Sequence, residues 1–360
     1  MKMTNVSVKI IRTLIFLATV LCTSYSCHDE GAEPVPNSLI GKRYFTWQID
    51  TLLYPGSFQI LMFGLWGSST HDVYAVGHNN TLGPGSAFHY NGSKWQEIKL
   101  SWTEGGPIQN GFDLFGLYGF NSNDIYAVGD NISYNDSDHK FTDSSLIIHF
   151  NGQQWNVVDI PKHEMLTCVS GSAPNDVWAG GSRGSIYHYN GVTWSYTLLS
   201  EELYVTSIAS LSQNNVYLEA HRESQLNLPD SSTYLLYRYD GGTWWLVDSV
   251  NNPSNSASKR FGMIVWTDGS RLYSLSPNIT LWEKNEWIRL LNATVGGMVR
   301  GNDKSYFAFG NGVYNYNGID WLKYSQFDTL NSNWRSGYTD GNEIFIVGNV
   351  GQSSIILHGK

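Results

Sequence analysis

What most limits how this chain can fold is that it repeats itself. "DVYAVGHNNTLGPGSAFHYNGSKW" from Asp72 returns as "DIYAVGDNISY" followed by "LIIHFNGQQW" from Asp124, and again as "DVWAGGSRGSIYHYNGVTW" from Asp176. Each unit holds an apolar run with small residues, a short polar turn, a second run often ending in Gly and a variable segment. A third run, an Asn-Gly turn and a last run opened by Trp complete it. The closing tryptophans are Trp95, Trp155, Trp194, Trp244, Trp287 and Trp321. Four short strands in a unit of ~40 to 50 residues are the signature of a propeller blade.

Six units are complete, and a seventh starts at Trp334 and reaches "SSIILHGK" without a turn or a closing Trp. Near the other end, "YFTWQIDTLL" from Tyr44 has no runs ahead of it and looks like the last strand of a unit. Pairing the two fragments closes a ring and leaves no sheet edge open at the seam. The expected fold is therefore all-β: a seven-bladed β-propeller of four-stranded antiparallel blades over residues 44–360, closed by an N-terminal strand that completes the last blade. A solenoid would need caps and would not need its two ends to complement one another.

The local chemistry agrees. Asn91-Gly92, Asn151-Gly152, Asn190-Gly191, Asp240-Gly241 and Asn317-Gly318 supply the positive φ angles of tight hairpins. Runs such as "IYAVG" and "VWAGG" are apolar at consecutive positions, as expected of strands covered on both faces. Small residues in the first run of each unit, Gly64 and Gly67 or Gly116 and Gly119 among them, suit strands crowded around an axis.

The repeat resembles bacterial propeller units of the form SxxDVYAVG…HYNGxxW, over about residues 44–360. "YDGGTW" at Tyr239–Trp244 also resembles the Asp-box hairpin of sialidases and related propellers, which implies a structural turn and no catalytic role. The arginine motif of sialidases is not present.

Ahead of the repeats, Lys2, Lys9 and Arg12 precede an apolar run from Leu14 to Leu21 and then "TSYSC" ending at Cys27. This order reads as an export signal over residues 1–26, the run being far shorter than the ~20 residues a membrane span needs. "SYSCHDE" resembles the relaxed lipoprotein signal of Bacteroidetes-type bacteria, with Ser24 where Leu is usual and Asp29-Glu30 following as in surface-export signals. The resemblance implies acylation of Cys27, a linker over residues 27–43 and anchoring to the bacterial outer membrane, possible exposure at the cell surface included. The remaining cysteine outside the signal, Cys168, has no partner for a disulfide and reads as a small buried hydrophobe.

The net charge is −9, and removing a basic signal makes the remainder more acidic still. That balance argues against nucleic acid as a partner. A monomer is expected.

Function is sought in the loops. Turns between first and second strands ("SSTHD", "FNSND", "SAPND") and between third and fourth are uniformly short. Insertions gather in the other set, which a propeller places on one face: "HNNTLGPGS", "DNISYNDSDHKFTDSS", "HRESQLNLPDSS", "SWTEGGPIQNG" and "NNPSNSASKR". On this elaborated face Trp102 and Trp334 could stack on a sugar or a partner's side chain, and Arg183, Arg222, Arg260 and Arg335 could meet an acidic group. Asp130, Asp136 and Asp138 stand close enough in sequence to suggest Ca²⁺, without the Gly and final Glu of a calcium loop. No catalytic residue is assigned, and no cofactor is expected.

The reading that follows is a non-catalytic envelope protein binding a glycan or a protein partner through this face. The alternatives are a carbohydrate-active enzyme using two of Glu104, Asp113, Glu164, Glu201, Glu202 and Glu223, or an envelope assembly scaffold. No HExxH, phosphate-binding Gly loop or GxSxG is present.

Overall fold

The computed structural model describes residues 41–360 apart from 138, 223–232, 252–260 and 302–304. The described chain forms seven four-stranded antiparallel sheets. Blade 1 comprises β2 (Ile60–Ser69), β3 (Asp72–Asn79), β4 (Ala87–Tyr90) and β5 (Trp95–Glu97). Blade 2 comprises β6 (Gly111–Asn121), β7 (Asp124–Asn135), β8 (Lys140–Phe150) and β9 (Trp155–Val157). Blade 3 runs from β10 (Leu166–Ala173) through β11 (Asp176–Gly181) and β12 (Ser185–Tyr189) to β13 (Trp194–Leu198). Blade 4 holds β14 (Tyr204–Ser212), β15 (Asn215–Arg222), β16 (Thr233–Tyr239) and β17 (Trp244–Asn251). Blade 5 holds β18 (Ile264–Thr267), β19 (Leu272–Leu275), β20 (Ile279–Glu283) and β21 (Glu286–Leu291). Blade 6 holds β22 (Val295–Arg300), β23 (Tyr306–Gly310), β24 (Val313–Tyr316) and β25 (Trp321–Lys323).

Blade 7 closes the ring as expected. Its first three strands, β26 (Asn333–Thr339), β27 (Ile344–Val350) and β28 (Ser353–Gly359), come from the C-terminal end, and the fourth is β1 (Trp47–Thr51). The seam pairs Trp47 with Gly359 and Thr51 with Ile355. Ahead of β1, Gly41 donates its N–H to Asn317 O at 2.8 Å and Arg43 pairs with Asp320 at 2.7 Å, so residues of the segment read as linker already lie on blade 6.

Consecutive apolar residues serve two interfaces. Ala75 belongs to the cluster shared with Phe345 and Val347 of blade 7, whereas its neighbour Val76 packs with Phe112, Leu114 and Leu146 of blade 2. A side chain of the size of Val76, Phe112 or Leu114, removed from water, contributes about 1.5–3 kcal/mol. The hairpin glycines take the expected positive φ, +89° at Gly92 and +90° at Gly191, and in each case the preceding Asn carbonyl accepts two following backbone N–H groups. Asp240 does the same and also accepts the Trp245 indole N–H at 2.8 Å, the structural turn that the Asp-box resemblance implies.

One segment differs from its reading. "DNISYNDSDHKFTDSS" is largely regular β-ribbon rather than loop: β7 and β8 stay paired as far as Asn135 and Lys140, well beyond the last rung that β6 shares, Gly111 with Ile132. Alternation of Ile132 and Tyr134 with polar residues sustains the strand, and Tyr134 packs on Phe141 across it at 4.9 Å. Among the described residues no helix is long and apolar enough to cross a membrane.

Candidate binding channel

The first strands of the seven blades surround a central channel of about 750 Å³. Its character is set by a repeated irregularity. Six of the inner strands slip register by one residue near their starts, leaving Phe63, Phe115, Thr167, Thr206, Gly296 and Arg335 as extra, bulged residues. All but Thr206 line the channel. Because each inner strand begins at the face bearing the insertions, these residues sit toward the elaborated mouth.

The conserved-looking phrase of the repeat explains the bulge. The residue paired with the start of each slip is the Gly that ends the second run: Gly77, Gly129, Gly181, Gly310 and Gly348, with Ala220 in blade 4. A Cβ on Gly77 would stand 2.1 Å from Leu61 O, and one on Gly129 would stand 1.9 Å from Asp113 O. The strand can buckle toward its partner only where that partner has almost no side chain.

The lining is uneven. Phe63 and Phe115 stack at 5.5 Å, and Arg335 lies over the Phe63 ring at 5.9 Å. Arg335 is exposed to the channel and makes no hydrogen bond or ion pair among the described residues, so its guanidinium is available to a ligand. Next to it Gly296 has open space where a side chain would stand. Thr167 spends its hydroxyl on Val205 O at 2.9 Å. Burial pushes the Cys168 thiol up to about 12, in keeping with an inert cysteine.

Carboxylates reach the channel only near the plain face, as Asp268 and Asp340 among the described lining. Both are occupied. Asp340 accepts the N–H groups of Asn342 and Glu343 at 2.8 and 2.9 Å. Asp268 accepts from Arg271 at 2.9 Å and Tyr306 at 2.8 Å; burial raises its pKa, but these bonds hold it well below the usual carboxylate range.

The residues singled out in the sequence do not come together. Trp102 is 66% exposed on a 3-10 turn between β5 and β6. Trp334 is a correction: it is 2% exposed, packed against Phe327 at 6.2 Å inside β26, and offers no stacking surface. Position next to a turn suggested a loop, but the residue opens the first strand and meets the core. Arg183 pairs with Glu164 at 3.6 Å and Glu201 at 3.2 Å, and Arg222 pairs with Glu202 at 3.3 Å. Three of the six acids considered for glycoside hydrolysis are thereby in surface ion pairs. Glu104 accepts from Tyr54, and Asp113 lies 2.8 Å from His78 Nδ1. Arg260 and Glu223 lie outside the described residues. Of the six ligand-contact candidates, Arg335 lines the channel and Trp102 stands free on the surface.

Among the described residues no cluster that could hold a cation includes Asp130 or Asp136. Asp130 is turned into blade 2, accepting the Asp113 N–H at 3.0 Å, while Asp136 is exposed in the β7–β8 turn. Asp138 lies outside the described residues. Burial, then the neighbouring Asp113 charge, pushes Asp130 up to about 7.

Sequence reading also passed over a recurring Asp–His pair. His89 reaches Asp72 at 2.7 Å, His149 reaches Asp124 at 2.7 Å, and His188 reaches Asp176 at 2.9 Å. Each histidine stacks on the aromatic residue of the adjacent strand, Tyr74, Tyr126 or Trp178. Ser68 and Ser172 donate to Asp72 and Asp176. A Ser, Asp and His in contact resemble a nucleophilic set, but repetition in successive blades, with Asp in the middle, identifies a brace between second and third strands. The signal was in the repeat itself, as "DVY" and "HY" at matching positions.

Fold and channel thus define the class of protein, a seven-bladed β-propeller with an open mouth on its elaborated face. The solved structure of YCF48 bound to D1 peptide is similar over 89% of this chain and 98% of its own, with TM-score 0.58 and 13% identity. Virginiamycin B lyase from Staphylococcus aureus, solved as an inactive variant with quinupristin, is similar over 87% and 99%, with TM-score 0.59 and 13% identity. The WD40 propeller domain of Doa1 gives TM-score 0.54 at 12% identity over 87% and 97%. At these identities the likeness is one of fold. No family model and no curated protein sequence matches the chain.

Proposed function

We propose that the protein is a non-catalytic binding module that takes a protein or peptide partner at the elaborated mouth of its channel. One observation carries this reading: the mouth presents stacked aromatic rings and a guanidinium unpaired among the described residues, groups that hold a ligand, while the carboxylates of the described lining, Asp268 and Asp340, sit at the far end. YCF48, of like fold, is a peptide-bound propeller, and this favours a polypeptide ligand. The protein works at the bacterial outer membrane, tethered by acylated Cys27. The composition of the leader up to "SYSC" supports the tether.

A glycan ligand is the second reading, favoured by the exposed indole of Trp102 on the same face. The test is binding of the full chain to a peptide array and a glycan array, repeated with Gly296→Leu, which fills the mouth, and with Trp102→Ala. Peptide binding lost in Gly296→Leu and kept in Trp102→Ala supports the channel reading. Glycan binding lost only in Trp102→Ala would replace it.

A further inference from the structure

Resting on that binding role, we infer that Arg335 receives the terminal carboxylate of a peptide that enters the channel end-on, with an apolar last side chain against Phe63 and Phe115. Arg335 stands exposed in the channel wall, and among the described residues no acid pairs with it. Its planar fork of N–H donors matches a carboxylate, which takes two parallel bonds from it beside the Phe63 ring.

The rest of the site specifies what carries the carboxylate. The stacked Phe63 and Phe115 rings present no polar atom, so the group beside the charge must be apolar. An acidic sugar carries hydroxyls on every side, but this part of the wall has few groups to meet them: Thr167 is committed to Val205 O, and Gly296 has no side chain. An internal Asp or Glu would require the chain to enter and leave through one mouth, whereas a terminus needs a single strand's width. The open space at Gly296 gives that width beside Arg335, and about 750 Å³ accommodates a few residues.

The repeat shows why this position is special. In five of the inner strands the bulge brings an extra residue to the channel, and among these Arg335 is the cation. The fold requires the bulge but not the arginine, because the same place in other blades holds Phe, Thr or Gly.

The test is calorimetric titration of the full chain with acetyl-Ala-Ala-Phe as the free acid, with the same peptide as its C-terminal amide, and with glucuronic acid. The expected result is that the acid binds at least tenfold more tightly than the amide or the sugar acid. Arg335→Gln brings acid and amide to the same affinity, and Arg335→Lys keeps part of the preference. Equal affinity of acid and amide for the unaltered chain, no binding of the acid, or tighter binding of glucuronic acid would each overturn the inference. If Arg335→Gln unfolds, as judged by circular dichroism, folded Arg335→Lys decides: a reduced acid preference supports the forked contact, and a preference as large as that of the unaltered chain overturns it. Array peptides that bind through internal residues and ignore Arg335→Gln would sink the carboxylate site while leaving the binding role intact. Absence of any peptide or glycan binding would remove both.

Discussion

Asp176 holds His188 at 2.9 Å between the second and third strands of blade 3, and the imidazole lies flat on Trp178, ring centroids 3.7 Å apart. The Asp176 side chain is fully buried and also accepts from Ser172 and from the Trp178 indole at 2.9 Å. With the Ser210 hydroxyl at 3.4 Å, four side chains converge on one carboxylate, so the group that aligns the strands is also the one that cannot be removed without stranding its partners.

Replacing that carboxylate is therefore expected to be costly. Asp176→Ala should lose about 3 kcal/mol or more, since buried donors are left unpaired. Burial raises the Asp176 pKa, but the bonds from His188, Ser172 and Trp178 outweigh it and the net shift is downward. The stabilisation is thus complete above the ordinary carboxylate range and lost as pH falls through the depressed folded value. Urea titrations of both forms at pH 7 and pH 3 should differ at the first and converge toward the second.

Glu219 behaves in the opposite sense. It is fully buried on β15, neither oxygen has a hydrogen-bond partner, and burial raises its pKa well above the ordinary value despite the nearby Thr206 hydroxyl. A raised acid binds its proton more tightly folded than unfolded, so stability falls as pH climbs above about 4.5 toward the folded pKa. Asp130, at about 7, adds a slope of the same sign up to neutrality. Glu219→Gln should flatten the decline of Tm between pH 5 and pH 9, and an unchanged slope would show that Glu219 is not its source.

The two tryptophans proposed from sequence should separate cleanly in stability. Trp334→Ala empties a core position and is expected to cost about 3–5 kcal/mol. Trp102→Ala touches an exposed turn and should stay within about 0.5 kcal/mol. Denaturant midpoints of the two variants decide the matter.

Glycines of the bulge and of the mouth should separate in the same way. Gly129→Ala places a methyl group 1.9 Å from Asp113 O and should destabilise by about 2 kcal/mol or more. Gly296→Ala meets nothing within 4 Å, so its melting temperature should match the parent. A Gly129→Ala protein as stable as the parent would mean that the bulge opposite it is not required.

The number of blades, the closure of the ring and the hairpin turns were legible because each depends on local pattern: runs at a fixed spacing, Asn-Gly at the turns, and two end fragments that complement one another. The Asp–His brace was equally present in the repeat, but its meaning needed the pairing of two strands, which brings Asp72 to His89.

The site was less legible. Loop length singled out one face, yet Trp334 went to the core and Arg183 and Arg222 to surface ion pairs, because a residue's neighbour in sequence does not say which side of a strand it faces. The β7–β8 ribbon looked like a loop because its residues are polar on a strand that projects beyond its blade and has no core to face.

By itself, then, the sequence determined the repeating unit and the order in which units close, since periodicity and turn chemistry act within a few residues. Only the tertiary structure decided that Phe63, Phe115 and Arg335, from three different blades, share one mouth. Their meeting depends on one-residue register slips set by glycines on the neighbouring strands and on the closing of the ring, and neither can be summed from any single segment.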